Sequence, residues 1–503
     1  MKKFIPWFTP ALIIVFYLIT HLYQLTLLPV FADEAIYIRW TQLIIDDWQQ
    51  YLFFPMNDGK TPLLMWLMVP TQFLLSNQLL AARLVAVLIG LGQILSLGYL
   101  TKLLGGKKQT TWLVMILCSI LPFWFFHHRM ALTDGLLGLG MTLTAIGVVQ
   151  IVNHKQKKLW VGLTALFFGL SLWSKLPAVL LIPSLFIYPW IKQTKINHKV
   201  KQIIRIGIAT VGGLAIFFSL RLHPVFSQIF SRGSDFLYPW QEVVLQGKWQ
   251  NTIISIPNYI SYFGAYLTWP VLLLNIVGQF IPDLKKRRIQ HVLLLSAIIF
   301  AGPIALLGKV VYPRYLFPAS IFLTISAALM IQELFEKKLL QKILGGILVL
   351  CIGLASSRFI YFSLTDVAKT PFVSSDKEQY LYEWSSGYGI KESVDYIKEQ
   401  SKNKTVAVAT EGSFGTLPDG ILMYFHRQNV DNIYVEGVGF PVRGVTEKFE
   451  EKALSFDQIL LVVNSHRLEM KVPAEDLLQE YCRPDNAPCL QIWDITKLLK
   501  EKE

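Results

Sequence analysis

Residues 31–60 read FADEAIYIRWTQLIIDDWQQYLFFPMNDGK and follow directly on the first apolar run of the chain. Acid is concentrated there: Asp33 and Glu34 are adjacent, and Asp46, Asp47 and Asp58 follow. A carboxylate at the mouth of a hydrophobic helix is costly unless it is paired, hydrated or in use. Where this loop stands relative to the apolar segments around it therefore decides how the chain folds.

Those segments dominate the composition. Of 503 residues, 53% are hydrophobic and only 16% are charged, and the mean hydropathy is +0.44. A soluble chain of this size needs far more charge to cover its surface. The composition predicts a polytopic α-helical membrane protein. The formal charge of +13 is unevenly spread: residues 1–365 hold 31 Lys and Arg against 11 Asp and Glu, and residues 366–503 hold 16 against 23. Basic excess in the membrane part sets orientation through its loops, so no nucleic-acid partner is implied.

Met1-Lys2-Lys3 precedes the first apolar run, and no small-x-small cleavage site follows it. It reads as an uncleaved first helix with its N-terminus in the cytosol, so the acidic loop emerges on the far side. The segment 62–75 is short and contains Pro70; it is expected to be interfacial or re-entrant. Further spans are expected near 80–101, 110–126, 132–152, 159–174, 176–191, 201–221, 257–281, 290–308, 313–333 and 343–362. With the first, that is about 11 helices, each near the ~20 residues a bilayer requires or somewhat shorter. The loops then falling inside are KLLGGKK, NHKQKK, KQTKINHKVK, DLKKRR and EKKLLQK; with the N-terminal pair they carry 19 Lys and Arg. An odd number of spans sends the C-terminus outside.

Two domains are expected: a transmembrane domain over 1–365, and an extracytoplasmic α/β domain over 366–503. In the second, KTVAVATEG, VDNIYVEG, FDQILLVV and CLQIWDI read as strands, and SVDYIKEQSK and PAEDLLQEY as helices. The glycines of GVGFPVRG lack dinucleotide-loop spacing and read as turn residues. Cys118 and Cys351 sit in apolar runs, whereas Cys482 and Cys489 flank RPDNAP and are placed to bridge if that domain lies outside the cytosol.

With this topology the unusual polar residues collect on one membrane face. Asp33, Glu34, Asp58 and Lys60 lie in the first outer loop, and His127, His128, Arg129 and Asp134 in HHRMALTDG. Lys175 sits in WSKLP, Arg221, His223, Arg232 and Asp235 open the loop 221–256, and Tyr312, Arg314 and Tyr315 form VYPRY. Any one of these cations has an ordinary explanation in snorkelling to lipid headgroups, and the tyrosines in interfacial anchoring. The acids gain little from headgroup phosphates, so Asp33-Glu34 asks for more. One or two carboxylates, several cations and an apolar cavity suit a lipid-linked phosphosugar. Lys60, Arg129, Lys175 or Arg314 would stabilise charge on the departing phosphate, and a carboxylate would take the acceptor's proton. In a helix, adjacent side chains point about 100° apart. Asp33 is therefore expected to be the base, with Glu34 pairing a cation or orienting the acceptor.

The motifs FADEAIY, DGKTPLLMW, AARLVAVLIGL, HHRMALTDGLL, LSLWSKLPAVLLIP and VYPRYLFPA together resemble the GT-C glycosyltransferases. The resemblance is to bacterial relatives of the dolichyl-phosphate-mannose protein mannosyltransferases and of the lipid A aminoarabinose transferase. It implies catalysis by Asp33, a second-loop acid at Asp134, and a Lys-Pro turn at Lys175 and Pro177. It further implies an inverting transferase of the plasma membrane with an extracytoplasmic active site. Such an enzyme moves a sugar from a polyprenyl-phosphate donor to a protein, lipid or cell-envelope glycan acceptor. This chain has Lys60-Thr61-Pro62 where many relatives have Lys-Pro-Pro, and Asp134 stands in LTDG without a DxD partner. No metal is expected to be required, with Mg or Mn at Asp33, Glu34 and Asp134 as the alternative. The competing reading is a transporter or lipid flippase with a charged outer vestibule. Charge at one face and the lack of a repeat speak against it.

Overall fold

The computed structural model describes residues 5–153, 157–428 and 432–501. They form two compact units, one of Met1–Tyr23, Gln50–Leu67 and Arg83–Asp366, the other of Gln24–Gln49, Met68–Ala82 and Val367–Glu503.

The first unit is helical. Among the described residues, six helices are long and apolar enough to cross a bilayer: Gln78–Leu103, Thr133–Asn153, Ile196–Leu222, Leu284–Leu307, Pro313–Phe335 and Leu339–Thr365. A bent pair, Trp249–Tyr266 and Trp269–Gly278, makes a seventh if counted as one span. Ile204, Ile208 and Val211 are exposed on one of these helices and Leu350 and Leu354 on another, faces that suit hydrocarbon and not water.

Several expected spans are broken, and proline accounts for most of the breaks. Residues 176–191 form short turns, Leu176–Leu181, Ile182–Leu185 and Tyr188–Ile191, each carrying a proline that lacks an N–H for a continuous helix. Pro122 separates Lys108–Ile120 from Pro122–His127. The expected span 257–281 turns through 108° at Thr268, whose φ is +73°. Leu63–Leu74 is a helix of 12 residues, about 18 Å long and too short to cross.

Helix pairing in this unit relies on small residues. A Cβ on Gly140 would collide with Ser171, and one on Gly147 with Thr164. Thr133–Asn153 and Lys157–Ser174 thus approach along a face of glycine and hydroxyl side chains. That is how helices pack where lipid removes the hydrophobic drive.

The second unit contains a five-stranded sheet in the order β2-β1-β3-β5-β4. The strands are β1 (Val406–Thr410), β2 (Ile433–Gly437), β3 (Gln458–Asn464), β4 (Leu477–Tyr481) and β5 (Leu490–Asp494). β1 pairs in parallel with β2 and β3, whereas β5 runs antiparallel to β3 and β4. β1 and β3 are buried at every position, which is why VAVAT and QILLVVN are nearly unbroken apolar runs. The expected helix PAEDLLQEY is instead a short 3-10 turn followed by edge strand β4. β5 supplies its backbone partners, and a disulfide between Cys482 and Cys489 closes the hairpin. Tertiary pairing overrides the helical propensity of that segment.

Candidate functional site

Asp33 and Glu34 lie in the first turn of the Ala32–Asp46 helix, where the helix dipole favours negative charge. Their environments differ. Glu34 is fully buried and accepts the backbone N–H of Phe31 at 3.1 Å, fastening the start of the helix. Asp33, one position earlier, is partly exposed.

This helix is built into the second unit. The N–H of Ala32 donates to the carbonyl of Ser385 at 3.0 Å, and Phe31 forms a β-bridge with Ser386. Gln42 donates from Nε2 to the carbonyl of Met423 at 2.9 Å. At the far end, Asp46 lies 2.9 Å from Nε2 of His426. Asp46 thus ends the helix against a tail side chain, a contact that no local pattern announces across 380 residues.

In the first unit, five of the expected residues come together. Asp134 is in the first turn of Thr133–Asn153 and is 3% exposed, and Lys175 places its ammonium 2.7 Å from Oδ1. The Lys175 ammonium also lies 5.2 Å from the Tyr315 ring centre. The Arg314 guanidinium covers Tyr315 at 5.3 Å and Tyr312 at 5.9 Å. Lys175 stands at the break between the Lys157–Ser174 helix and the Leu176–Leu181 turn, which carries Pro177, and Arg314 in the first turn of the helix that Pro313 begins, so that both cations reach the Tyr315 ring. The result is two cations on aromatic faces with one buried carboxylate, an arrangement suited to holding a phosphate.

Lys60 belongs to a second group. It lies over Phe236 at 5.6 Å, as does Arg232, and Arg232 binds Asp58 at 2.6 Å and Asp235 at 2.9 Å. Gly59, with φ +71°, makes the tight turn between Asp58 and Lys60, and an added Cβ would press on the Ile229 carbonyl at 3.3 Å. Arg129 is elsewhere again. Its Nη1 donates at 2.9 Å to the carbonyls of Thr20, His21 and Tyr23. The cation thereby caps the negative end of the Ile5–Leu22 helix.

His127 and His128 are buried side chains: His127 stacks on Phe317 at 4.8 Å and His128 meets Gln93 at 3.1 Å. His223 packs on Phe53 at 4.7 Å, and Arg221 is exposed. Sequence reasoning passed over Arg83, which is only 1% exposed within Gln78–Leu103. A guanidinium in a spanning helix was itself the available signal.

Asp134 is engaged by Lys175. Among the described residues, one set of three His, Cys, Asp or Glu ligand atoms lies close enough for an ion, Glu480 with Cys482 and Cys489, and both sulfurs are in the disulfide.

The family model for dolichyl-phosphate-mannose-protein mannosyltransferase matches residues 59–220. No curated protein sequence is matched. Among solved structures, ArnT from Cupriavidus metallidurans bound to undecaprenyl phosphate matches with a TM-score of 0.60 at 13% identity, over 96% of this chain and 97% of its own. The archaeal oligosaccharyltransferase AglB from Archaeoglobus fulgidus, solved with an inhibitory peptide and a dolichol-phosphate, matches with a TM-score of 0.55 at 11% identity. That match covers 92% of this chain and 70% of AglB. The Archaeoglobus enzyme in complex with zinc and sulfate gives a TM-score of 0.53 at 12% identity, over 90% and 68% of the two chains. In the sequence of residues 59–220 and in the fold of nearly its whole length, the chain resembles the GT-C superfamily of membrane glycosyltransferases.

Proposed function

We propose that this chain is an inverting glycosyltransferase of the plasma membrane that moves a sugar from a polyprenyl-phosphate donor to an acceptor on the outer face. The observation that supports it best is that the matched segment 59–220 contains the pair of buried Asp134 with Lys175, along with Lys60 and Arg129. The lipid phosphates named with the two neighbouring enzymes agree with a donor of that class. This reading includes about 11 spans with the N-terminus inside. It divides the chain into a transferase domain over 1–365 and an extracytoplasmic domain over 366–503.

In the reaction, Asp33 takes the proton of the acceptor hydroxyl or amine as that group attacks the anomeric carbon. The bond from that carbon to the phosphate oxygen breaks, and its electron pair leaves with the lipid phosphate. Lys175 and Arg314, with Tyr312 and Tyr315 beneath them, stabilise the charge that builds there. Lys60 adds a cation from the first loop, and attack opposite the leaving group inverts the carbon. The phosphate leaves readily as an anion, so the mechanism needs no strong general acid and no resident metal.

The test is sugar transfer by membranes carrying Asp33→Asn, read by mass spectrometry of acceptor and of accumulated polyprenyl-phosphate sugar. Removing a general base lowers turnover by about 10²–10⁴-fold while expression and insertion persist. Near-parental transfer by a well-folded Asp33→Asn protein would sink the mechanism, and loss of parental transfer in chelator would sink its metal independence.

A further inference from the structure

The helix bundle has a second polar end. Thr133–Asn153 starts beside Asp134, and Leu284–Leu307 finishes a few residues before Arg314; their other ends, at Asn153 and Lys285, therefore lie a helix length away from the candidate phosphate site. There a cavity of about 170 Å³ is lined by the apolar side chains of Val149, Val152 and Ile289, with Asn153, Lys192 and Lys285 among its polar residues. Val149, Val152 and Ile289 are buried, whereas the two lysines and the asparagine are exposed. It is an apolar recess with a cationic rim. A neighbouring cavity of about 220 Å³ shares Leu104, Gly105, Lys285 and Ile289 with it. Gly105 has φ +95°, and a Cβ placed on it would meet nothing within 4 Å, so the shared wall is open.

Charge decides what fits. The acids near the second cavity are already engaged. Asp283 accepts the N–H groups of Lys285 and Lys286 at 2.8 and 2.9 Å. Glu333 pairs with Lys286 at 2.5 Å and with Lys337 at 3.1 Å. Lys192 and Lys285 make no ion pair among the described residues, and no acid lines the first cavity. Two ammonium groups outside any ion pair among the described residues, beside buried valine and isoleucine at the end of bilayer-length helices, match a phosphate carried on an apolar body. The recess is small for a drug-sized ligand and takes a headgroup with the start of its chains.

We propose that this paired cavity binds the headgroup of an anionic phospholipid, with Lys192 and Lys285 on the phosphate and Val149, Val152 and Ile289 against its apolar portion. It is a lipid-anion site separate from the transfer site, and occupancy fastens the ends of three helices to the membrane surface.

The test uses the full chain, purified and reconstituted in nanodiscs of phosphatidylcholine with or without phosphatidylglycerol. Native mass spectrometry is expected to find one retained phosphatidylglycerol, and thermal unfolding a higher midpoint when that lipid is present. Each of Lys192→Gln and Lys285→Gln should weaken apparent affinity about fivefold, and the pair about 25-fold. Lys192→Arg with Lys285→Arg should retain it, which separates lost charge from misfolding. Three results would overturn the site: retention unchanged in the double Gln variant, equal loss with Lys342→Gln outside the cavity, or the same midpoint shift from millimolar inorganic phosphate in phosphatidylcholine alone. Asp33→Asn should keep the lipid, so a failure of the transfer mechanism is read separately.

Discussion

At the scale of single residues, Asp33 and Glu34 show how two adjacent acids come to differ. Glu34 is turned inward to receive the Phe31 N–H, and Asp33 keeps partial access to solvent. Glu34→Gln preserves an acceptor for that N–H and is expected to stay within about tenfold of parental transfer. Glu34→Ala removes the cap and should cost about 1 kcal/mol of helix stability. Transfer assays beside thermal melts will check both, and a loss in Glu34→Gln as deep as in Asp33→Asn would reverse the assignment. Asp419 offers a test through pH. Burial pushes its carboxyl up to about 6, against the opposing Gly415 N–H and the charge of Arg39. Folded protein therefore keeps a proton that unfolded chain has lost, and stability falls as pH rises from about 4 to about 6. Asp419→Asn escapes this while still accepting from Gly415. It is expected to gain up to about 3 kcal/mol at pH 7.5 and nothing at pH 4, measured as unfolding midpoints at the two pH values. Asp33, Asp134 and Lys175 stood out in the sequence because charge beside hydrocarbon asks for a reason. The pairing of Arg232 with Asp58 gave no such signal, since the two lie 174 positions apart.

At the scale of elements, apolar length and proline placement carried the reading. The long spans began close to where hydropathy put them, and Pro122, Pro177, Pro183 and Pro189 mark where helices stop. PAEDLLQEY was misread because its strand identity comes from β5, a partner that local pattern does not contain. The Ala32–Asp46 helix teaches the same lesson more strongly. The acids of its first turn are legible, but the Ser385, Met423 and His426 groups that hold it lie some 350 to 380 residues away. Gln42→Leu leaves the buried Met423 carbonyl without its side-chain donor and is expected to cost about 1–3 kcal/mol. Hydrogen exchange should report faster opening over residues 32–46, and unchanged protection there would show that the contact does not hold the helix.

At the scale of the molecule, membrane class and the presence of a small α/β unit followed from composition and charge. The grouping of residues 24–49 with the tail did not, because units defined by contact need not be continuous in sequence. A chain ending at residue 366 is expected to insert its helices yet lose sugar transfer completely, since the helix bearing Asp33 loses its anchors. Transfer by that truncated chain, assayed in membranes, would show that the tail is dispensable to the base. The same architecture imposes a schedule on biosynthesis. Ala32 reaches its Ser385 partner only after some 350 further residues have been made. At 5–20 residues per second that is a wait of roughly twenty to seventy seconds. During that interval residues 32–46 stand without the Ser385, Met423 and His426 groups that hold them.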